Sequence, residues 1–400
     1  MEYVEVRLTQ MAIGADSEGG KPAAAKRYHS HSKGNSYITI FSPAVNEALR
    51  CVVDYYPSVD LSGDTVKVKE PFAMFVFFER ELTEYRNRLL AAPPDDSCAN
   101  KHAYEHIGIV QDFVRGRVQE DVDAERERHA RGFATFDMLW LLYKPGADIY
   151  YDRREIGEHE PFVLKDVEFE LANGTTNTYT VDCWHVSADG YVAGPREWRF
   201  EIPRFAGETE IFKLTGYPCE YLRFARGMNK EEANKVKEHF IARGKKWYPL
   251  VRGRKCCDFS GFTVALPRRK VSNTHPPRPH THSKGTQYNS LVMVDPVNYM
   301  NALVKGKNGD LQDYKFYVEA NATYACSPFK ICQCDRCGKL IYQHAVQPKF
   351  SGYSRFDPSV VEELSEHQYF ICDASVSVFV FKLRSWGESP WMQNELPVPK

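Results

Sequence analysis

The spacing of apolar positions changes character near Pro145-Gly146. Before that point apolar residues recur at helical intervals; after it they mostly alternate, as in strands with one buried face. The junction is Gly132–Tyr151, where the run Phe136-Asp-Met-Leu-Trp-Leu-Leu-Tyr143 meets Pro145-Gly146 and continues as the alternating Ala147-Asp-Ile-Tyr-Tyr151. Trp140, Pro145 and Gly146 are therefore read as structural, with the apolar block packing the helical part onto the strand-rich part.

In the helical part, Tyr37–Ile40 predicts a strand. Ser42-Pro43 predicts a helix start, with Ser as N-cap and Pro in the first turn. Val66–Phe78 carries the run FAMFVFF, and periodicity leaves it between a buried strand and the start of a helix. From His102 to Val122 the apolar residues form one helical stripe; Asp123–Arg131 lacks such a stripe and is expected to fray or project into solvent.

In the strand-rich part, Val167–Leu171 and Tyr179–Cys183 flank Asn173-Gly174, a hairpin pattern. Further strands are predicted at Trp198–Ile202, Ile211–Leu214, Phe262–Leu266, Leu291–Val294 and Val376–Leu383. A helix is predicted over Asn229–Arg243, with Asn229 as N-cap and Gly244 as stop. The fold class is α+β: a helix-rich N-terminal part, a middle resembling a small barrel or sandwich, and a mixed C-terminal part. The expected organisation is a flexible lead-in over 1–36, a helix-rich region over 37–146, a β-rich region over 147–305 and a cysteine-containing region over 306–400.

Composition narrows the class. Four hundred residues with 43% apolar content suffice for more than one core. No apolar run reaches membrane-spanning length, and the N-terminus lacks the apolar segment of a secretory signal, so an intracellular chain, cytoplasmic or nuclear, is expected. Eleven cysteines, an odd number, then point to thiols or metal rather than a disulfide frame.

Two clusters carry candidate chemistry. Cys334-Asp-Arg-Cys337-Gly338 has the spacing and trailing glycine of a zinc half-site. Cys332, with Cys326 or His344, would complete four ligands. The second cluster is basic: from Arg243 to Lys284 there are eleven Lys or Arg against one acid, Asp258. Arg243, Lys245, Lys246, Arg252, Arg254, Lys255, Arg268, Arg269 and Lys270, interleaved with Trp247, Tyr248, Phe259 and Phe262, would suit weak contact with a polyanion. Cys256-Cys257 and the His29/His31 and His280/His282 pairs are read as structural or solvated. No Walker phosphate loop, dinucleotide fingerprint, nucleophile elbow or HExxH motif occurs in the sequence, and no catalytic residue is assigned.

Several blocks in order resemble the N-terminal, non-ATPase region of fungal AAA-type ATPases. They are Tyr37–Pro43 leading to Asp54–Pro57, Phe136–Gly146, Trp184–Gly190, Ile202–Gly207 with Ile211–Leu214, Tyr217-Pro218, Arg243–Trp247, Phe259–Gly261, Val292–Asp295, Leu364–Cys372 and Lys382–Gly387. The resemblance implies a recognition or adaptor module that engages protein substrates or partners for a motor whose ATPase motifs this sequence does not contain. The alternative is a zinc-containing protein associated with nucleic acid.

Overall fold

The computed structural model describes residues 7–10, 36–53, 56–57, 59–61, 63–90, 97–153, 158–171, 177–188, 193–225, 227–265, 286–299, 353, 356–373, 375–382, 385–390 and 398–399. The chain divides into two compact units. The first is Met1–Lys144 with Ala206–Glu208 and Cys332–His344; the second is Pro145–Phe205, Thr209–Ile331 and Ala345–Lys400. Helices dominate the first and antiparallel sheets the second, so the class is α+β.

In the first unit, strands β1 (Arg7–Gln10), β2 (Ser36–Ile40) and β3 (Val66–Lys69) form an antiparallel sheet in that order. In β3, Val66 and Val68 are buried while Lys67 and Lys69 are exposed, the alternation of a one-sided strand. Helix α1 (Pro43–Val52) starts as its sequence predicts: the Ser42 side chain accepts from the Val45 N–H, and Pro43 occupies the first turn. The ambiguous FAMFVFF run is helical. Pro71 and the left-handed Phe72, at φ 62°, separate β3 from α2 (Ala73–Phe77), and α3 (Glu79–Leu90) follows.

Helix α4 (Ser97–Ala130) buries Ile107, Val110, Val114, Val118 and Val122 along the predicted stripe. Its last turns do not fray, contrary to the apolar pattern. Glu125 is fully buried there and binds the chain that follows, so a polar anchor replaces the missing apolar one. After β4 (Phe133–Thr135), the block Phe136–Leu142 is a 3₁₀ helix that buries Phe136, Met138, Leu139, Trp140 and Leu142. It belongs to the first unit, where the Trp140 ring lies 6.1 Å from that of Phe77.

The second unit opens with the Pro145-Gly146 turn. Gly146 has φ 85°, and its N–H donates to the Leu164 carbonyl at 2.8 Å, a geometry that favours glycine. Strands β5 (Asp148–Arg153), β6 (Glu158–Leu171), β7 (Asn177–Ala188) and β8 (Ala193–Pro203) form a meander. After β9 (Glu208–Glu210), β10 (Gly216–Pro218) completes the sheet order β10-β5-β6-β7-β8. The predicted 167–183 hairpin is present. The predicted strand at Ile211–Leu214 is instead a 3₁₀ turn, Ile211–Lys213, in which Ile211 is buried. Helix α5 (Lys230–Val251) has the predicted Asn229 cap but runs through Gly244. Here the glycine marks a close approach: a Cβ at Gly244 would strike the Tyr369 carbonyl oxygen.

A second sheet contains β11 (Lys255–Ala265), β12 (Thr286–Val294), β13 (Ser375–Val380), β14 (Ser385–Pro390) and β15 (Val398–Pro399). β11 pairs with both β12 and β14, and β13 pairs with both β12 and β14. Between β12 and β13 in sequence lies a segment of little regular structure, residues 356–373, containing helix α6 (Glu366–Phe370). Phe356 pairs with Ala193 of β8, and Val186 of β7 exchanges backbone hydrogen bonds with Ile371 and Asp373.

Candidate functional site

One meeting of titratable side chains from remote parts of the sequence lies in the second unit. Asp148 opens β5. His367 sits in the first turn of α6, which is fixed by a reciprocal cap between Ser365 and Gln368. Tyr353 lies with its ring 5.2 Å from the buried Trp184 ring. His367 Nε2 is 2.7 Å from Asp148 Oδ1, and His367 Nδ1 is 2.6 Å from the Tyr353 hydroxyl. Lys237 of α5 lies 4.0 Å from Asp148 and 4.9 Å from the Phe370 ring centre.

The order is hydroxyl, imidazole, carboxylate. With a carboxylate accepting from Nε2–H, Nδ1 of the neutral ring accepts from the phenol. Burial raises the Tyr353 phenol, and Asp148 raises it further against a hydrogen bond with Ser365. A phenol kept protonated is suited to holding three segments together, not to nucleophilic attack. The nearby Cys219 thiol is likewise pushed well up by burial, which suppresses its thiolate.

Two further clusters lie on the β-meander. Asp373 is raised by burial, but His185, Arg196 and the Ser187 hydroxyl at 2.9 Å outweigh this and hold it below the usual carboxylate range. Further along the same two strands, β7 and β8, Asp182 accepts from two nitrogens of the Arg199 guanidinium, at 2.5 and 2.8 Å. Asp166 stands opposite Asp182 across the β6–β7 pair. In the first unit, Glu125 is fully buried; its carboxylate accepts from the Thr135 N–H at 2.7 Å, the Thr135 hydroxyl at 2.9 Å and Arg128 at 2.9 Å.

Of the residues singled out by sequence, Cys326, Cys332, Cys334, Cys337 and His344 lie outside the described residues, as do Arg268, Arg269, Lys270 and His280/His282. Among the described residues no group of three or more His, Cys, Asp or Glu is arranged to hold a metal ion. The basic tract is divided. Arg243 is buried and donates to the Cys372 carbonyl, Arg252 to that of Pro358, and Arg254 pairs with the buried Asp295. Lys245 and Lys246 are exposed, and Lys255 is half-buried.

The interleaved aromatics are core: Trp247, Tyr248 and Phe259 are each at most 2% exposed, which removes them as stacking platforms. Trp247 and Tyr248 also donate to the carbonyls of Ser375 and Val361. Cys256 is exposed and Cys257 buried, as alternate faces of β11 require. The Asp148–His367–Tyr353 chain carried no sequence signal, because its members are 14 to 219 positions apart. Glu125 had one: Arg128 and His129 follow it at i+3 and i+4.

Residues 124–223 match the model of a domain of unknown function, DUF7025. That span contains the Glu125 anchor, the 3₁₀ block and the whole β-meander. No curated protein matches the chain, and no solved structure matches it. Among the described residues no helix is long and apolar enough to cross a membrane.

Proposed function

We propose that the chain is a non-catalytic recognition module of the fungal AAA-type ATPase lineage, engaging protein partners or substrates for a motor carried elsewhere. The observation that supports it best is how the matched segment spends its charged groups. Glu125 and Arg128, Asp182 and Arg199, and Lys165 and Glu197 are all engaged with one another, serving to fix a scaffold. Paired charges that fix the strands leave recognition to connecting loops, where binding residues are disproportionately found. The ordered blocks of resemblance over residues 37–387 supply the lineage, and fold-level analogy supplies the role.

The test has two arms. Labelled ATP titrated into the purified chain is expected to give no saturable binding, since a triphosphate requires a cradle of backbone N–H groups and a lysine. Fused ahead of an AAA motor of measurable activity, the chain is expected to change which protein is retained while basal ATP hydrolysis stays within about twofold, because the hydrolytic groups all belong to the motor. Magnesium-dependent ATP binding by the chain alone, or turnover of a small molecule by it, would overturn the reading.

A further inference from the structure

We propose that the facing carboxylates of Asp166 and Asp182 make the β6–β7–β8 meander a proton-tightened element, firmer when Asp166 is protonated and looser when both are ionised. The inference is independent of the recognition role proposed above. Asp166 of β6 is the Cα partner of Asp182 of β7, and Asp182 is the partner of Arg199 of β8. Directly opposed residues of antiparallel strands put their side chains on one face, so the three form a row across the sheet. The next row is Glu168, Thr180 and Glu201. Two rows thus hold four acids and one cation.

That cation is committed. The Arg199 fork sits on both oxygens of Asp182. The other nearby cation, Lys165, is the residue displaced by the irregularity between Leu164 and Asp166, and its ammonium is paired with Glu197. Asp166 accepts a hydrogen bond from the Val167 N–H at 2.8 Å. The groups acting on it are therefore Lys165 and Glu168 from its own strand and Asp182 from β7, with Arg199 beyond Asp182. Like charges directly opposed across a ladder destabilise it. Burial first, then Glu168 and Asp182, push Asp166 up to about 6, against the Val167 N–H and Lys165.

The sign follows from linkage. In the unfolded chain an aspartate titrates near 3.9; in the fold, Asp166 holds its proton to about 6. The folded state thus binds more protons between these values, and this contribution to stability is full below about 3.9 and lost as pH rises through about 6. Mild acid tightens the meander.

The test is hydrogen exchange in the β6–β7–β8 amides of the full chain and of Asp166→Asn, at pH 7.5 and 5.0, corrected for intrinsic exchange. Protection in the wild type is expected to rise about tenfold more than in the variant between these two pH values. Equal pH dependence in the two proteins overturns the proposal. A carboxyl-carbon NMR titration of wild-type Asp166 gives a second readout that needs no variant. A midpoint near 6 supports the proposal, and a midpoint near 4 overturns it.

Discussion

Two residues show how far a side chain's role can depart from its local pattern. Glu125 sits in a stretch with no apolar stripe, yet it is fully buried and serves as the acceptor for the turn into β4. Burial raises its carboxyl, but hydrogen bonds from His129, Thr135 and Arg128 win and hold it below the usual carboxylate range. Its contribution is therefore present above the unfolded carboxylate range near 4 and lost as pH falls through its depressed value. Glu125→Ala would leave Arg128 and the Thr135 N–H without this acceptor. A loss of about 3–5 kcal/mol is expected, measured by urea unfolding at neutral pH. Gly244 carries the opposite lesson. Alanine normally stabilises a helix over glycine by about 1 kcal/mol. At Gly244 the added carbon would strike the Tyr369 carbonyl, so Gly244→Ala is expected to destabilise by about 1–3 kcal/mol and to loosen α6 first in hydrogen exchange.

At the scale of elements, the sequence was legible where burial is periodic and local. The Ser42-Pro43 start of α1, the Asn229 cap of α5 and the 167–183 hairpin are all signalled within a few residues. It was illegible where an element is decided by a distant partner. The run through Gly244 is explained by Tyr369, which lies 125 positions away. The same holds for the aromatics and arginines of α5. Arg243, Trp247, Tyr248 and Arg252 grip backbone carbonyls between Pro358 and Ser375, a role no local spacing announces. The 3₁₀ block Phe136–Leu142 is an intermediate case: its burial was evident from its composition, but its packing was not. Trp140 is 6% exposed and meets Phe77 edge to face. Trp140→Ala is expected to cost about 3–5 kcal/mol in unfolding, with the loss felt in α2. An effect under about 1 kcal/mol would mean the ring is not part of the core.

At the scale of the whole molecule, any zinc site of this kind would be confined to one stretch of chain, residues 326–344. If Cys332, Cys334 and Cys337 with Cys326 or His344 hold zinc, elemental analysis of protein purified without added metal should find about one equivalent per chain. Chelation should then free thiols in this stretch, because coordination requires them as thiolates. Metal-free protein with the same thiols already reactive would reject the site.

Polyanion binding is governed by which cations remain available. The net charge of −1 supplies no general attraction, so any binding must be local. Of the nine basic residues picked out by sequence, Arg243, Arg252 and Arg254 make hydrogen bonds within the fold. Lys245 and Lys246 are exposed on α5, and the local field there is positive: burial, Arg243 and Lys246 together depress His239. With Trp247, Tyr248 and Phe259 in the core, the described part of the tract offers phosphates point charges without bases to stack on it. Binding to a nucleic acid should therefore be weak, indifferent to base sequence and steep in salt. Replacing Lys245 and Lys246 together by Ala should lower the slope of log affinity against log salt by about 1.4, since each phosphate contact on a single strand contributes about 0.7. The measurement is a salt titration of fluorescence anisotropy on a single-stranded oligonucleotide. An unchanged slope would place the contact elsewhere, and sequence preference surviving near-physiological salt would favour the nucleic-acid alternative over a module for protein partners.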